Sequence, residues 1–135
     1  MRLIQVSLCM VLLSTGLVCA GQTRPGDMTV DVPFAFFAAG QEFPAGHYIV
    51  AATDGSYLRI FNSHTTGLYA QTHAAWRNSS EGSKLVFHRY QDTYCLSAVW
   101  VTGSKAGREL SASRFERELA SRSKNMELAV VQVAK

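Results

Sequence analysis

An imidazole paired with a thiol is the combination in this 135-residue chain that is best suited to chemistry. If the runs 84–90 and 93–101 form a tight hairpin around Gln91-Asp92, His88 lies directly opposite Cys95. A neighbouring imidazole can lower the pKa of a thiol and so make it a nucleophile. No third group that would orient His88 is evident, however, and a free cysteine is commonly a small buried hydrophobic residue. The sequence therefore indicates a candidate thiol/imidazole pair and identifies no catalytic residue.

A guanidinium among aromatic rings is the second candidate, and it lies on the preceding hairpin. Asp54-Gly55 is typical of a two-residue hairpin loop, and tight closure would pair Val50 with Arg59. One face of that hairpin would then carry three aromatic rings and one cation. If exposed, this face suits a glycan, a peptide or another envelope protein, whereas a helix packed over it would make it a second core layer. The predicted binding residues are Tyr48, Tyr57, Arg59 and Phe61.

Motifs typical of metal sites and enzymes do not occur in the chain. The histidines at positions 47, 64, 73 and 88 form no H-x-H or H-x-x-x-H pair, and no carboxylate is suitably spaced beside them. There is neither a G-x-S-x-G elbow nor a Gly-rich phosphate loop, and the scattered carboxylates select no pair suited to glycoside hydrolysis. We therefore expect no metal site, no cofactor and no enzymatic activity.

The charge balance argues against a nucleic-acid partner. Thirteen Lys and Arg residues stand against ten Asp and Glu residues, and the formal net charge of +3 is too small to attract a polyanion. Basic residues of the C-terminal third alternate with glutamates, which is typical of a solvated helix face, with a phosphate-binding stripe as the alternative. Hydrophobic residues make up 47% and charged residues 17% of the chain, which excludes wholesale disorder.

The amino-terminal segment predicts export. Residues 3–23 carry no charge and follow the single basic Arg2, and Val18 and Ala20 place compact side chains at the usual positions before a cleavage site. We predict a signal peptide over 1–20, a single β-rich domain over 21–135, and no stable membrane span after cleavage, with an uncleaved anchor as the alternative. The protein would then be periplasmic or extracellular. Cys95 would be the only thiol of the mature chain, so an intramolecular disulfide is excluded.

Period-two alternation of apolar side chains predicts the strands that must position these residues. A helix is predicted after Ser113, which forms a capping box with Glu116, and Phe87 and Trp100 are predicted as core anchors of the second hairpin. The expected fold is mainly β, a small antiparallel β-barrel or two-layer sandwich of six to seven strands with one C-terminal helix before the last strand. Besides the second hairpin, the predicted strands lie at 30–36, 47–53, 56–61, 67–73 and 127–134.

Five segments of the chain together form a distinctive pattern. They are DVPFAF at 31–36, FPAGHYIV at 43–50, KLVFHRY at 84–90, YCLSAVW at 94–100 and GREL at 107–110. This pattern resembles an uncharacterised family of small exported proteins of soil bacteria, and the resemblance implies a bacterial exported protein but no activity, cofactor or ligand. The chain departs from the family at Gln91, where the family has Gly, and at Cys95, where it has an aromatic residue. The first departure bears on the tight register, and the second indicates that Cys95 is replaceable packing.

These observations predict a non-catalytic exported protein that acts by binding or interaction at the cell envelope. The alternative is a small hydrophobic-ligand carrier with a lipocalin-like cavity, which is an analogy at the level of the fold. The partner would be an envelope component or a small ligand, and not a nucleic acid. An internal cavity would favour the carrier, whereas a filled core with an exposed patch would favour the interaction module.

Overall fold

The computed structural model describes residues 27–52, 56–62, 67–78, 82–102 and 104–133. The predicted signal peptide, the Asp54-Gly55 loop and His64 lie outside these residues. The described part of the chain forms ten strands and one helix. In chain order these are β1 (Met28–Val32), β2 (Phe36–Ala38), β3 (Gln41–Phe43), β4 (Gly46–Ala52), β5 (Tyr57–Phe61), β6 (Leu68–Trp76), β7 (Lys84–Tyr90), β8 (Thr93–Trp100), β9 (Ala106–Leu110), α1 (Arg114–Arg122) and β10 (Glu127–Gln132).

All ten strands belong to one open, curved sheet. Its main path runs β1-β4-β5-β6-β9-β8, after which β7 pairs with β8 and β10 pairs with β7. The short β2 pairs in parallel with β8 and carries β3 at its other edge, so the sheet is mixed. The curvature brings Cα atoms of β1 and β10, at the two ends of the path, within 8 Å of each other. The mainly β fold with one helix before the last strand is confirmed, whereas the prediction of a small antiparallel barrel of six to seven strands is wrong.

The additional strands have two origins. Turn residues divide a segment into short strands, and one segment that is predicted as a loop pairs with its neighbours as a strand. Pro33 lacks a backbone donor, so β1 ends before it and lies at an edge of the sheet, paired with β4. Ala39 and Gly40 have φ values of 50° and 81°, and this left-handed pair forms the tight turn between β2 and β3. Residues 106–110, which the sequence places in and after a loop, form β9 between β6 and β8.

The inner face of the curved sheet is the hydrophobic core. Aromatic rings fill its middle, and Phe36 makes edge-to-face contacts with Tyr48 and Phe87 at centroid distances of 5.3 and 5.4 Å. Phe87 is fully buried, which confirms it as a core anchor. Other core side chains come from strands along the whole path of the sheet. They include Val30, Val32, Phe43, Val50, Leu58, Ile60, Ala70, Leu85, Leu96 and Val99.

The second hairpin has the predicted register near its turn and a different register beyond it. Tyr90 pairs with Thr93, and Gln91 adopts φ 57°, so the tight turn forms without glycine. A bulge opposite the step from Val86 to Phe87 adds one residue to β8. Beyond the bulge, each side chain of β8 lies on the opposite face from the one that the predicted register gives it. Val99 therefore points into the core and Trp100 points outward. The prediction of Trp100 as a core anchor is therefore wrong.

The helix lies on the outer face of the sheet. Ser113 caps it by accepting a hydrogen bond from the Glu116 backbone N–H at 3.1 Å, which is one half of the predicted capping box. Phe115 packs on Phe37 of β2 with a ring-centroid distance of 4.3 Å. Among the described residues, no helix has the length and apolar character needed to cross a membrane.

Candidate functional site

The first hairpin closes one residue away from the predicted register. Ala51 pairs with Arg59 and Val50 with Ile60, instead of Val50 with Arg59. Because side chains alternate with a period of two, this shift moves Tyr48 to the opposite face from Arg59. The Tyr48 ring is buried in the core, where its hydroxyl donates to the Pro44 carbonyl, and burial raises its pKa. The prediction of Tyr48 as a member of the binding face is therefore wrong.

The other three predicted residues do share the outer face, and a fourth joins them from β6. We call this set the aromatic patch. The Arg59 guanidinium carbon lies 4.0 Å from the Phe61 ring centroid and 5.9 Å from that of Tyr69, which pairs directly with Arg59 across the strands. Tyr69 is absent from the predicted binding residues because the local patterns do not indicate that β5 pairs with β6. The patch consists of Tyr57, Arg59, Phe61 and Tyr69.

The aromatic patch is open to solvent. Tyr57 is 49% and Tyr69 is 61% exposed, and α1 packs on β2 rather than over this face. The Arg59 Nε atom is buried, and the described residues offer it no hydrogen-bond partner. The arrangement presents a cation on the same face as two exposed rings, which can take an anionic group together with a flat apolar one.

The predicted His88 and Cys95 pair forms, and the structure adds two more side chains to it. His88 lies directly opposite Cys95 on the outer face of β7 and β8. The buried Glu116 carboxylate of α1 accepts from His88 Nδ1 at 2.9 Å and from the Tyr90 hydroxyl at 3.1 Å. The sequence placed Glu116 in a capping box, so its approach to the sheet was not foreseen. Glu116 is the orienting group that sequence analysis did not find.

The surroundings of Cys95 keep its thiol protonated. The residue is 3% exposed, and burial together with the Glu116 charge raises the pKa of the thiol to about 12. The same two causes, with the hydrogen bond to Glu116, raise the pKa of Tyr90 to about 12. A nucleophilic cysteine needs the opposite environment, exposed and electropositive. The geometry therefore favours a buried polar cluster that fastens α1 to the sheet.

Two further histidines pair singly with carboxylates on neighbouring strands. His47 contacts Asp31 across β4 and β1, and His73 Nε2 lies 3.2 Å from Glu109 Oε2 across β6 and β9. Within the described ranges, no group of three or more His, Cys, Asp or Glu residues is placed to hold a metal ion.

An apolar cavity of about 320 Å³ opens at one end of the core. Its walls come from β1, β4 and β5 on one side and from β6, β8 and β9 on the other, because the sheet curves around it. One charged side chain, Arg108 of β9, reaches the lining, together with the hydroxyl of Ser104. No cavity-lining residue was identified from the sequence. The apolar lining includes Met28, Val50, Leu58, Ala74, Val99 and Ala106.

A second concavity, of about 430 Å³, is polar and lies beyond the end of α1. Arg122 and Lys124 line it together with Arg89 of β7, whose guanidinium lies 3.7 Å from the Glu127 carboxylate.

Comparison of the chain with protein-family models, with curated proteins and with solved structures finds no match.

Proposed function

We propose that this chain is a non-catalytic exported protein that acts by binding at the cell envelope, and that the aromatic patch is its contact surface. The observation that carries this proposal is the exposure of Tyr57 and Tyr69 on the same face as Arg59, whose guanidinium lies against the Phe61 ring. Exposed rings around an arginine are enriched where proteins contact partners. The absence of a catalytic motif from the sequence and its resemblance to exported proteins of soil bacteria support the same function.

The contact surface is tested by binding of the purified protein to isolated cell-envelope fragments. Arg59→Gln and Tyr69→Ser should each weaken co-sedimentation by roughly twofold to thirtyfold, the range of a cation–π contact of about 0.5–2 kcal/mol. Trp76→Ser is the matched control, because Trp76 is 77% exposed and lies outside the aromatic patch. If the control weakens binding as much as the patch variants, or if the patch variants bind normally, the contact surface lies elsewhere.

The export step is tested separately. Cleavage after Ala20 would leave Gly21 as the first residue of the exported protein. Intact-mass spectrometry of protein recovered outside the cytoplasm should show this start. A mass that still includes residues 1–20, or a lipid on Cys19, contradicts the proposed cleavage.

A small hydrophobic-ligand carrier is the second candidate, and the apolar cavity favours it. Its volume of about 320 Å³ lies at the lower end of the range of small-molecule pockets, which begins at roughly 300 Å³. Decanol, a neutral single-chain probe, should bind to the wild type in calorimetric titration. Ala74→Phe should abolish this binding, because Ala74 lies in the exposed part of the lining and a ring there would fill the cavity. Binding of decanol that Ala74→Phe leaves unchanged would exclude the cavity as its site.

A further inference from the structure

One arginine points into the apolar cavity from the inner face of the sheet. Arg108 of β9 pairs with Ala74 of β6 and with Val99 of β8, and all three residues line the cavity. The neighbouring inner positions of β9 are Ala106 and Leu110, so Arg108 places a cation in an otherwise apolar row. None of the described residues forms an ion pair or a hydrogen bond with its guanidinium.

The Arg108 guanidinium is half-buried, but solvent still reaches its nitrogen atoms. An anionic occupant of the cavity would replace the water on this guanidinium with charge-assisted hydrogen bonds. The other polar side chain of the lining, Ser104, is already engaged, since its hydroxyl accepts from the Ala106 N–H and donates to the Ala106 carbonyl, both at 3.1 Å. The cavity therefore offers an occupant one cationic group and apolar walls.

We propose that the cavity binds a small amphiphilic carboxylate, with the carboxylate on Arg108 and the hydrocarbon chain against Met28, Val50 and Leu58. This inference rests on the proposed carrier function and adds the chemistry of the ligand's head group. A guanidinium fork matches a carboxylate in a two-point hydrogen bond. A phosphate monoester, with nearly two charges, would need a second cation, and Arg108 is the one that the lining contains.

The cavity volume limits the length of the chain. At about 30 Å³ for each water-sized group, 320 Å³ holds about ten such groups. A single hydrocarbon chain of about that many atoms fits, whereas a two-chain lipid does not. Decanoate is therefore the probe that matches both the head group and the volume.

Comparison of three head groups on the wild-type protein tests the inference without any variant. Decanoate, decanol and decylammonium carry the same chain and differ in charge. In calorimetric titrations decanoate should bind at least about tenfold more tightly than decanol, since hydrogen bonds between charged groups are the strong ones. Decylammonium should bind most weakly, because its charge repels Arg108.

Variants then locate the head group. Arg108→Gln should reduce decanoate binding about tenfold or more, to the level of decanol, and leave decanol binding within about twofold. Arg108→Lys should retain part of the preference for decanoate. The matched control is Lys105→Gln, which removes the same charge from an exposed position outside the cavity lining and should leave both affinities unchanged. Loss of decanoate binding in Lys105→Gln would point to a general electrostatic effect and overturn the assignment.

The outcomes separate this inference from the function on which it rests. If neither decanol nor decanoate binds, the carrier function itself fails. If both bind the wild type equally, the carrier function stands and the head-group inference is overturned. Decanoate binding that survives Ala74→Phe, or a protein that sediments with anionic phospholipid vesicles and binds no decanoate, would also overturn it. Should Arg108→Gln fail to fold, the head-group comparison on the wild type decides.

Discussion

The character of a side chain in this protein is decided by its neighbours, and Cys95 is the clearest case. A thiol opposite an imidazole could be a nucleophile, but Glu116 accepts the His88 hydrogen bond and leaves Cys95 buried beside a carboxylate. The pKa of the thiol is therefore raised to about 12 instead of lowered. Arg108 is the opposite case, since none of the described residues forms an ion pair or a hydrogen bond with its guanidinium.

The raised pKa values predict a loss of stability at alkaline pH. Unfolded Cys and Tyr lose their protons near pH 9.0 and 10.0, whereas Cys95 and Tyr90 hold theirs to about pH 12 in the folded protein. Above about pH 9 the unfolded state therefore binds fewer protons, so the free energy of unfolding decreases as pH rises towards 12. Below about pH 9 these two groups should leave stability independent of pH.

This prediction is checked by urea unfolding at about pH 8 and about pH 10.5. The alkaline decrease should be smaller in Cys95→Ala than in the wild type, and smaller again when Tyr90→Phe is added. Cys95 should also react slowly with thiol reagents in the folded protein, since the thiolate is the reactive form. An equal alkaline decrease in all three proteins would contradict the assigned cause.

Gly107 predicts a steric effect at a single position. It pairs with Trp100, and a Cβ atom built on it would lie 2.4 Å from the Trp100 ring. Gly107→Ala should reduce the free energy of unfolding by about 1–3 kcal/mol, the usual effect of overpacking. Gly82→Ala is the control, because a Cβ atom there has no atom within 4 Å and should change stability by less than about 0.5 kcal/mol. Urea unfolding of both variants tests the difference, and equal stabilities would contradict the close approach.

The attachment of α1 to the sheet combines an aromatic contact with a buried carboxylate. Its contacts with the sheet include the Phe115 ring on Phe37 and the Glu116 carboxylate on His88 and Tyr90. Since Glu116 is 6% exposed, these hydrogen bonds are shielded from competing water. The helix therefore covers β2, β7 and β8, and the aromatic patch on β5 and β6 stays uncovered.

Truncation of the buried carboxylate should weaken this attachment. Glu116→Ala is expected to reduce the free energy of unfolding by about 3 kcal/mol or more, because it removes two hydrogen bonds to a charged group, each of which contributes about 1.5–3 kcal/mol. Glu118→Ala on the same helix is the control; its exposed partner Arg114 lies at 3.3 Å, and such surface pairs contribute about 0.5 kcal/mol or less. The two variants are compared by urea unfolding. If they are equally stable, the buried cluster does not hold the helix.

At the scale of the whole molecule, the described part of the chain is an open sheet curved around one core. A side chain on the inner face should therefore contribute more to stability than one on the outer face. Phe87 lies inside and contacts Phe36, whereas Trp100 lies outside over Gly107, even though both belong to the same hairpin. The curvature leaves the middle of the interior filled with aromatic rings and one end open as the apolar cavity. The proposed ligand would lie at the open end, where Met28, Val50 and Leu58 belong both to the core and to the cavity lining.

Alanine variants of the two residues should separate the faces. Phe87→Ala is expected to reduce the free energy of unfolding by about 3–5 kcal/mol, a large part of the roughly 5–15 kcal/mol available to a domain. Trp100→Ala should reduce it by roughly 1–2 kcal/mol, because that ring is only half-buried. Thermal and urea unfolding of both variants provide the measurement. A larger loss in Trp100→Ala would mean that the bulge in β8 does not turn it outward.

The sequence alone determined the local features of this protein. Period-two alternation identified most strands, Gln91-Asp92 located the second turn, and Ser113 identified the start of the helix, because each of these signals acts between residues close in the chain. His88 and Cys95 were correctly paired for the same reason, since the turn between them is short.

Only the tertiary structure decided the faces and the sites. A one-residue change of register moved Tyr48 into the core, and one bulge turned Trp100 out of it, because a period of two reverses every side chain at each single-residue step. The approach of Glu116 to His88 and the placement of Arg108 in the cavity depend on elements distant in sequence. Such contacts are set by how the sheet curves and which strands become neighbours, and no local pattern of residue types encodes that choice.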